Sequence, residues 1–203
     1  MPEEAYKEKL EKDKKEELIK APPAVELKKK LLDPDFGDQR IEIKQLSIDD
    51  FDDVVLIMRK AMFEINSSVK EEVKNILKLN YSYGAYFERL LIAVALAWPV
   101  PFDDVLKEIR GEEANAMYIE DIAVLISYEG KGIREMLISE IEKRAKSDGF
   151  TYVVSIVGPN PKEGTDIIDM INNRGSRSER SYLSLGYKFI RSSDGLIAFK
   201  KIN

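Results

Sequence analysis

The pattern of apolar and polar positions predicts alternating strands and helices from about residue 40 onward. Alternating or continuously apolar runs are typical of strands. They occupy residues 40–46, 91–98, 116–126, 150–157, 188–192 and 196–202. Amphipathic segments that favour helices fall at 48–63, 69–79, 102–111, 132–147, 165–173 and 180–186. This alternation predicts an α/β chain of the α+β type, with helices on the faces of a mixed sheet. Pro99 and Pro101 are expected to end the strand at 91–98.

The first 38 residues differ in composition from the rest of the chain. Residues 3–20 are mostly Lys and Glu with a thin apolar stripe, and Pro22-Pro23 ends the helix that they predict. We interpret 1–38 as a charged helical N-terminal arm and 39–203 as the compact domain. Because charge runs are usually solvated faces, the arm is either an appendage or a docking helix for a partner.

Composition and charge exclude several classes of function. The 203-residue chain has a formal net charge of −5, so a nucleic-acid partner is not expected. It has no Cys and no His, which excludes disulfides, thiol nucleophiles and imidazole catalysis. No metal site is expected, and a general base must be Asp, Glu, Lys, Tyr or water. The longest apolar run, 90–100, is too short to span a bilayer, so we expect a cytoplasmic protein without a membrane partner.

The turn Gly130-Lys131-Gly132 joins a predicted strand to a predicted helix. Two glycines let the backbone bend sharply and approach an anion, and the helix start offers unpaired N–H groups at its positive end. The turn therefore suits either a phosphate cradle or an ordinary strand-to-helix connection. The sequence here has neither Gly-Lys-Ser/Thr nor a full Gly-x-Gly-x-x-Gly, which excludes a P-loop and a dinucleotide fingerprint.

Four segments between 117 and 190 occur in an order that resembles the GNAT superfamily of acyl-CoA-dependent N-acyltransferases. They are "YIEDIAVLISYEGKGI", the helix after it, "SDGFTYVVSIVGPN" and "SYLSLGYKFI". The resemblance implies a mixed, mostly antiparallel sheet flanked by helices on both faces, with acetyl-CoA as co-substrate. It is weaker over 40–100 and does not cover 1–38.

The resemblance also implies the residues of a site. The strand residues that match those pairing with the pantetheine arm are Ile122, Ala123 and Val124. Those that match the diphosphate loop are Gly130, Lys131, Gly132, Ile133 and Arg134, and Asn160 loosely matches an asparagine after the next strand. Glu120 matches a carboxylate that helps to deprotonate the amine, often through water. Tyr182 matches a tyrosine that can protonate the leaving thiolate.

Three positions depart from the pattern of the family. Glu129 stands in place of the usual Arg or Gln, Ile126 in place of Pro, and Arg134 in place of the closing Gly or Ala. An acid beside a diphosphate is repulsive. Arg134, which could grip phosphate with its fork, and Lys131 provide two cations that offset this repulsion.

An insertion and two structural alternatives affect the predicted site. Residues 161–178 are extra, because Asn160 and Tyr182 lie 22 positions apart. The insertion is either a lid that reshapes the acceptor pocket or a surface decoration. On a continuous strand Glu120 shares a face with Tyr118, Ile122 and Val124, which favours it for the acceptor cleft. Tyr182 also suits a core aromatic role.

The sequence supports an N-acetyltransferase in which a primary amine attacks acetyl-CoA directly in a ternary complex. One alternative is a degenerate, non-catalytic protein that keeps the fold for binding or regulation, because Glu129 and the insertion alter the site. Another is an interaction protein that works through the arm at 1–38. The acceptor stays open between a small-molecule amine and a protein amine, and a homodimer stays open as well.

Overall fold

A computed structural model of the chain describes residues 41–61, 63–120 and 122–202. The arm predicted over 1–38 lies outside the described residues, so the arm and its boundary stay predictions. The strands are β1 Glu42–Gln45, β2 Tyr83–Phe87, β3 Leu90–Ala95, β4 Ala97–Val100, β5 Ala116–Ile119, β6 Ala123–Val124, β7 Tyr152–Gly158, β8 Lys188–Ser192 and β9 Gly195–Lys201. The α-helices are α1 Phe51–Lys60, α2 Ser67–Leu77, α3 Ile133–Ser147, α4 Ile167–Arg174 and α5 Arg177–Ser184.

The strands form a four-stranded sheet in the order β1-β2-β3-β6 and a five-stranded sheet in the order β4-β5-β7-β9-β8. β5 and β7 run parallel, and the other described pairs are antiparallel. Apolar residues of α3 pack into one core with β2, β3 and β5, whereas those of α1 and α2 pack into another with β3 and β6. The prediction of a mixed, mostly antiparallel fold with helices on both faces is confirmed.

Two segments that were each predicted as one strand are broken, and the breaks separate the two sheets. Leu96 lies between β3 of the four-stranded sheet and β4 of the five-stranded sheet. The second break lies between β5 and β6, which belong to different sheets in the same way. The N–H of Glu120 donates to the carbonyl of Leu96 at 2.9 Å, so the two breaks lie side by side.

The parallel strands β5 and β7 diverge at this point. They pair from Ala116 with Tyr152 to Tyr118 with Val154. Beyond that register β6 pairs with β3, and the remainder of β7 pairs with β9. No strand of the described chain pairs with the other edge of β6. β6 and the end of β7 are therefore not paired with each other.

Two predictions of local structure are wrong. Pro99 does not end a strand but lies within β4, at the edge of the five-stranded sheet, where proline does not disrupt a central ladder. Residues 102–111 form turns rather than a helix. The Asp103 carboxylate accepts the N–H groups of Val105 and Leu106, each at 2.9 Å, and such side-chain bonds compete with helix formation.

In the described part of the chain, no helix combines the length and the apolar character that a membrane span requires.

Candidate functional site

The break after β5 changes which side chains face each core. Met117 and Ile119 lie in the same core as Ile122 and Val124, next to α3. In an uninterrupted strand these two pairs would face opposite sides. The prediction that Glu120 shares a face with Ile122 and Val124 is therefore wrong, because the break between β5 and β6 shifts the alternation.

Glu120 instead lines a cavity of about 210 Å³ on the side of α1 and α2. Most of its wall is apolar and comes from Met58, Phe63, Ile65, Val69, Val73, Ile76 and Leu96. Three carboxylates, Glu64, Glu72 and Glu120, complete the lining. An apolar wall with carboxylates suits an amine that carries a positive charge on an aliphatic body.

A second cavity, of about 410 Å³, lies against the glycine turn and the start of α3. Its lining includes Val124 at the end of β6, the loop residues Glu129, Gly130 and Gly132, and the helix residues Ile133, Arg134 and Glu135. Gly130 and Gly132 have φ values of +75° and +74°, which residues with a Cβ rarely adopt. The sharp turn that the sequence predicts at this position therefore depends on glycine.

The N-terminus of α3 opens at the 410 Å³ cavity. No side chain makes a capping hydrogen bond at Gly132, the residue that precedes the helix. The first N–H groups of a helix have no partners within it, and the helix dipole makes this end positive. The cavity can therefore bind an anion through the main chain.

Glu129, the acid that departs from the family pattern, is neutralised by arginine. Its carboxylate accepts from the Arg134 guanidinium at 2.9 Å and lies 3.5 Å from that of Arg177. Arg134 also donates to the carbonyl of Ile122 at 2.6 Å and to the hydroxyl of Ser178 at 3.2 Å. The Arg134 side chain is 14% exposed and that of Glu129 is 12% exposed. Arg134 lines the cavity, but its guanidinium is already bonded to protein groups.

Four residues that were not predicted as site residues line the opposite side of the cavity. They lie on α5 and are Arg177, Arg180, Ser181 and Ser184. The sequence pattern predicts this helix over 180–186, whereas α5 begins at Arg177. A signal for this start was present, because Ser176 and Glu179 form a capping box of the Ser-x-x-Glu type.

The charges around the 410 Å³ cavity favour an anion. Its lining carries three arginines and two glutamates, a formal balance of one positive charge. Tyr128, which also lines it, has its pKa raised, first by burial and then by the negative charge of Glu88. Its phenol therefore stays protonated at neutral pH and adds no negative charge to the site.

The remaining predicted residues occupy different places. Tyr182 is 2% exposed in the core beside α3, and its ring centroid lies 4.8 Å from that of Tyr187. Asn160 donates from its amide to the carbonyl of Ser192 at 2.6 Å and is not among the residues that line either cavity. Lys131 lies between the two glycines and is partly buried. The structure thus brings the strand, the loop and α3 together, whereas Asn160 lies in the loop after β7 and bonds to the hairpin of β8 and β9.

The side chain of Arg191 on β8 bonds to the first residues of the insertion at 161–178. The guanidinium of Arg191 donates to the carbonyls of Pro161, Lys162 and Thr165 at 3.3, 3.1 and 2.9 Å. Within the insertion, α4 is followed by the first residues of α5. The insertion therefore includes the N-terminal residues of α5, among them Arg177.

Comparison with known proteins identifies the family and the fold. The family model described as the acetyltransferase (GNAT) family matches residues 53–163. The loading GNATL domain of CurA from Lyngbya majuscula is 12% identical with a TM-score of 0.61, over 80% of this chain and 98% of that chain. The PaiA N-acetyltransferase from Thermoplasma acidophilum, solved with coenzyme A, is 18% identical with a TM-score of 0.53, over 80% and 99%.

A third solved structure is the diaminobutyrate acetyltransferase EctA from Paenibacillus lautus, in complex with L-2,4-diaminobutyric acid and coenzyme A. It is 12% identical with a TM-score of 0.58, over 81% of this chain and 97% of that chain. At these identities the likeness to solved structures establishes the fold alone. No curated protein matches the sequence.

Proposed function

Because the chain belongs to the acetyltransferase (GNAT) family, whose members are acyl-CoA-dependent acyltransferases, we propose that it transfers an acetyl group from acetyl-CoA to a primary amine. The observation that carries this proposal is the edge of β6 with which no described strand pairs. Val124 of β6 lines a cavity of about 410 Å³ together with the uncapped start of α3. An open strand edge suits an extended pantetheine arm, and the cavity suits a diphosphate.

The main chain of the site would bind the donor. Ala123 and Val124 form the open edge of β6 and Ile122 directly precedes it, and main-chain groups of this segment can pair with amides of the pantetheine. The carbonyl of Ile122 already accepts from Arg134. The N–H groups at Gly130 to Arg134 would hold the diphosphate, and Lys131 adds a positive charge. Asn160 stays a prediction for the cofactor site, since it bonds to Ser192 in the free protein.

The chemistry requires four things of the protein. It must hold the amine in line with the thioester carbonyl, remove its proton, polarise that carbonyl and protonate the leaving sulfur. We assign the proton removal to Glu120, directly or through a water, and the carbonyl polarisation to a main-chain N–H of β6. As the amine nitrogen bonds to the acetyl carbon, the carbon–sulfur bond breaks and the thiolate takes a proton from Tyr182. No metal is required.

The acceptor would bind in the 210 Å³ cavity that Glu120 lines. Its carboxylates favour an amine that is positively charged before reaction, and its apolar wall favours an aliphatic carbon chain. Diaminobutyric acid, the substrate bound in the EctA structure, is an amine of this general kind. A small-molecule amine and a protein amine both fit this description. The cytoplasmic location and a homodimer stay predictions.

A degenerate, non-catalytic role is less well supported. It would be favoured if Glu129 or the insertion filled the diphosphate site. The carboxylate of Glu129 is instead bonded to Arg134, the insertion is bonded to Arg191, and a cavity of about 410 Å³ lies beside them.

The experiment that tests the proposed function is a thiol-release assay with acetyl-CoA and a panel of amines. The panel contains aliphatic diamines, single amines, amino acids and a lysine peptide. We expect turnover with at least one aliphatic amine, and we expect the Gly132→Val variant to lose it, because valine does not tolerate a φ of +74°. Binding of acetyl-CoA without turnover on any amine would instead support the degenerate role.

A further inference from the structure

Two arginines of α5 face the cavity at the start of α3. Arg177 and Arg180 lie three positions apart on the helix, and both line the 410 Å³ cavity. Residues at this spacing lie on the same helical face. Both side chains are exposed, and that of Arg177 is 61% exposed. α5 therefore presents a positive face opposite the glycine turn.

The position of this face is fixed by two polar contacts to α3. The Ser181 hydroxyl, in a residue that is 5% exposed, donates to the carboxylate of Glu135 at 2.6 Å. Ser178 accepts from Arg134 at 3.2 Å. One contact lies on either side of Arg180 along α5. The arginines of α5 are consequently held at a defined place relative to the loop and the helix start.

Arg134 is poorly placed to act as the phosphate-binding side chain of the loop. Its guanidinium donates to Ile122, Glu129 and Ser178, and a phosphate would have to displace these partners. Its own main-chain N–H is in the first turn of α3, where it remains suited to an anion. The loop thus contributes main-chain groups, and the guanidinium of Arg134 is engaged with Glu129.

We propose that Arg177 and Arg180 bind the diphosphate of the acyl-CoA donor and replace the side-chain cation that the loop has committed to Glu129. This inference rests on the proposed function. A guanidinium can donate two parallel hydrogen bonds to a phosphate. The contact of Arg177 with Glu129 is the longer of the two that Glu129 makes, at 3.5 Å against 2.9 Å. Arg177 can therefore exchange Glu129 for phosphate while Arg134 keeps the loop acid neutral.

Arg180, like Arg177, is held by a contact with the protein and can still bind a ligand. One of its N–H donors bonds to the carbonyl of Gly175 at 2.5 Å, just before α5. A guanidinium has five N–H donors, so this bond orients the side chain and leaves donor capacity for a ligand. Glu129 and Glu135 oppose this positive charge, and each has a bonded partner in Arg134 or Ser181.

The test is calorimetric titration of acetyl-CoA into the full-length protein and its Arg177→Ala and Arg180→Ala variants. We expect each variant to raise the dissociation constant about tenfold or more, because hydrogen bonds to charged groups are the stronger ones. Arg174→Ala is the matched control, since Arg174 is an exposed arginine of the same insertion that does not line the cavity. It is expected to bind like the unaltered protein. Melting temperatures establish that each variant is folded.

A second arm uses CoA and dephospho-CoA, which lacks the 3′-phosphate. If the arginines bind the diphosphate, the variants lose affinity about tenfold for both ligands. If they bind the 3′-phosphate, the variants and the unaltered protein bind dephospho-CoA equally, which would overturn the assignment. Equal affinity of the variants and the unaltered protein would overturn the inference alone. Absence of binding by the unaltered protein would overturn the inference and the proposed function together.

Discussion

Replacing Glu120 with Gln lowers kcat for acetyl transfer by about 10²–10⁴-fold, the usual contribution of a positioned general base. The amide keeps the shape of the carboxylate, but it does not accept the amine proton at neutral pH. The KM for acetyl-CoA stays within a few fold, because Glu120 lines the 210 Å³ cavity of the proposed acceptor and not the cavity at the glycine turn. Steady-state kinetics with both substrates varied measures the two effects separately.

Glu64→Gln provides the matched comparison for Glu120→Gln. Glu64 lines the same cavity, so the substitution removes the same charge from the same site. It is expected to raise the KM of a cationic amine more than it lowers kcat. Only the Glu120 variant should regain activity steadily as pH rises, because a larger fraction of the amine is then already deprotonated. Equal losses of kcat in the two variants would mean that Glu120 acts through charge alone.

Tyr182→Phe is the corresponding test of the proposed acid. The hydroxyl lies in the core beside α3, and its removal leaves the apolar packing of the ring in place. We expect kcat to fall by about tenfold or more with little change in melting temperature. A variant with the original kcat would leave Tyr182 a core residue without a role in protonating the thiolate.

Replacing Arg134 with Ala is expected to lower the free energy of unfolding by about 2–4 kcal/mol, as loss of one partner from a mostly buried ion pair does. The carboxylate of Glu129, 12% exposed, would keep only the 3.5 Å contact with Arg177, and the carbonyl of Ile122 would lose its donor. For a domain of this size the melting temperature should fall by about 5–15 °C. Thermal unfolding followed by circular dichroism measures this change.

The control for Arg134→Ala is Arg144→Ala in the same helix. Arg144 pairs with Asp148 at 2.8 Å, but its side chain is 41% exposed. Exposed pairs of this kind contribute at most about 1 kcal/mol, so the melting temperature should fall by only a few degrees. Similar losses in the two variants would contradict the view that Arg134 is the internal partner of the loop acid. The double variant Glu129→Gln/Arg134→Met should recover part of the loss, because no charge is left unpaired.

Local patterns predicted most of the elements around the site. The helical spacing over 132–147 predicted α3, and the mostly apolar run at 116–126 predicted β5 and β6 as one strand. The break between β5 and β6 was missed, although the acids Glu120 and Asp121 interrupt the apolar run there. The break depends on pairing with two different sheets, which is tertiary information and is not contained in the local pattern.

The side-chain contacts of the loop could not be predicted for a similar reason. In the sequence Arg134 is a cation near a phosphate loop. In the fold it meets the carbonyl of Ile122 and the hydroxyl of Ser178, which lie 12 and 44 positions away. By contrast, the start of α5 was predictable from the Ser-x-x-Glu signal at 176–179, and with it the placement of Arg177 and Arg180 on one helical face.

Amide hydrogen exchange with and without acetyl-CoA tests the location of the donor site most directly. We predict that saturating acetyl-CoA slows exchange about tenfold or more in peptides covering 122–124 and 130–135, where main-chain groups would bind the pantetheine and the diphosphate. Exchange in the hairpin of β8 and β9 should not change. Unaltered exchange at 122–124 and 130–135 at millimolar acetyl-CoA, or protection confined to other segments, would contradict the proposed site.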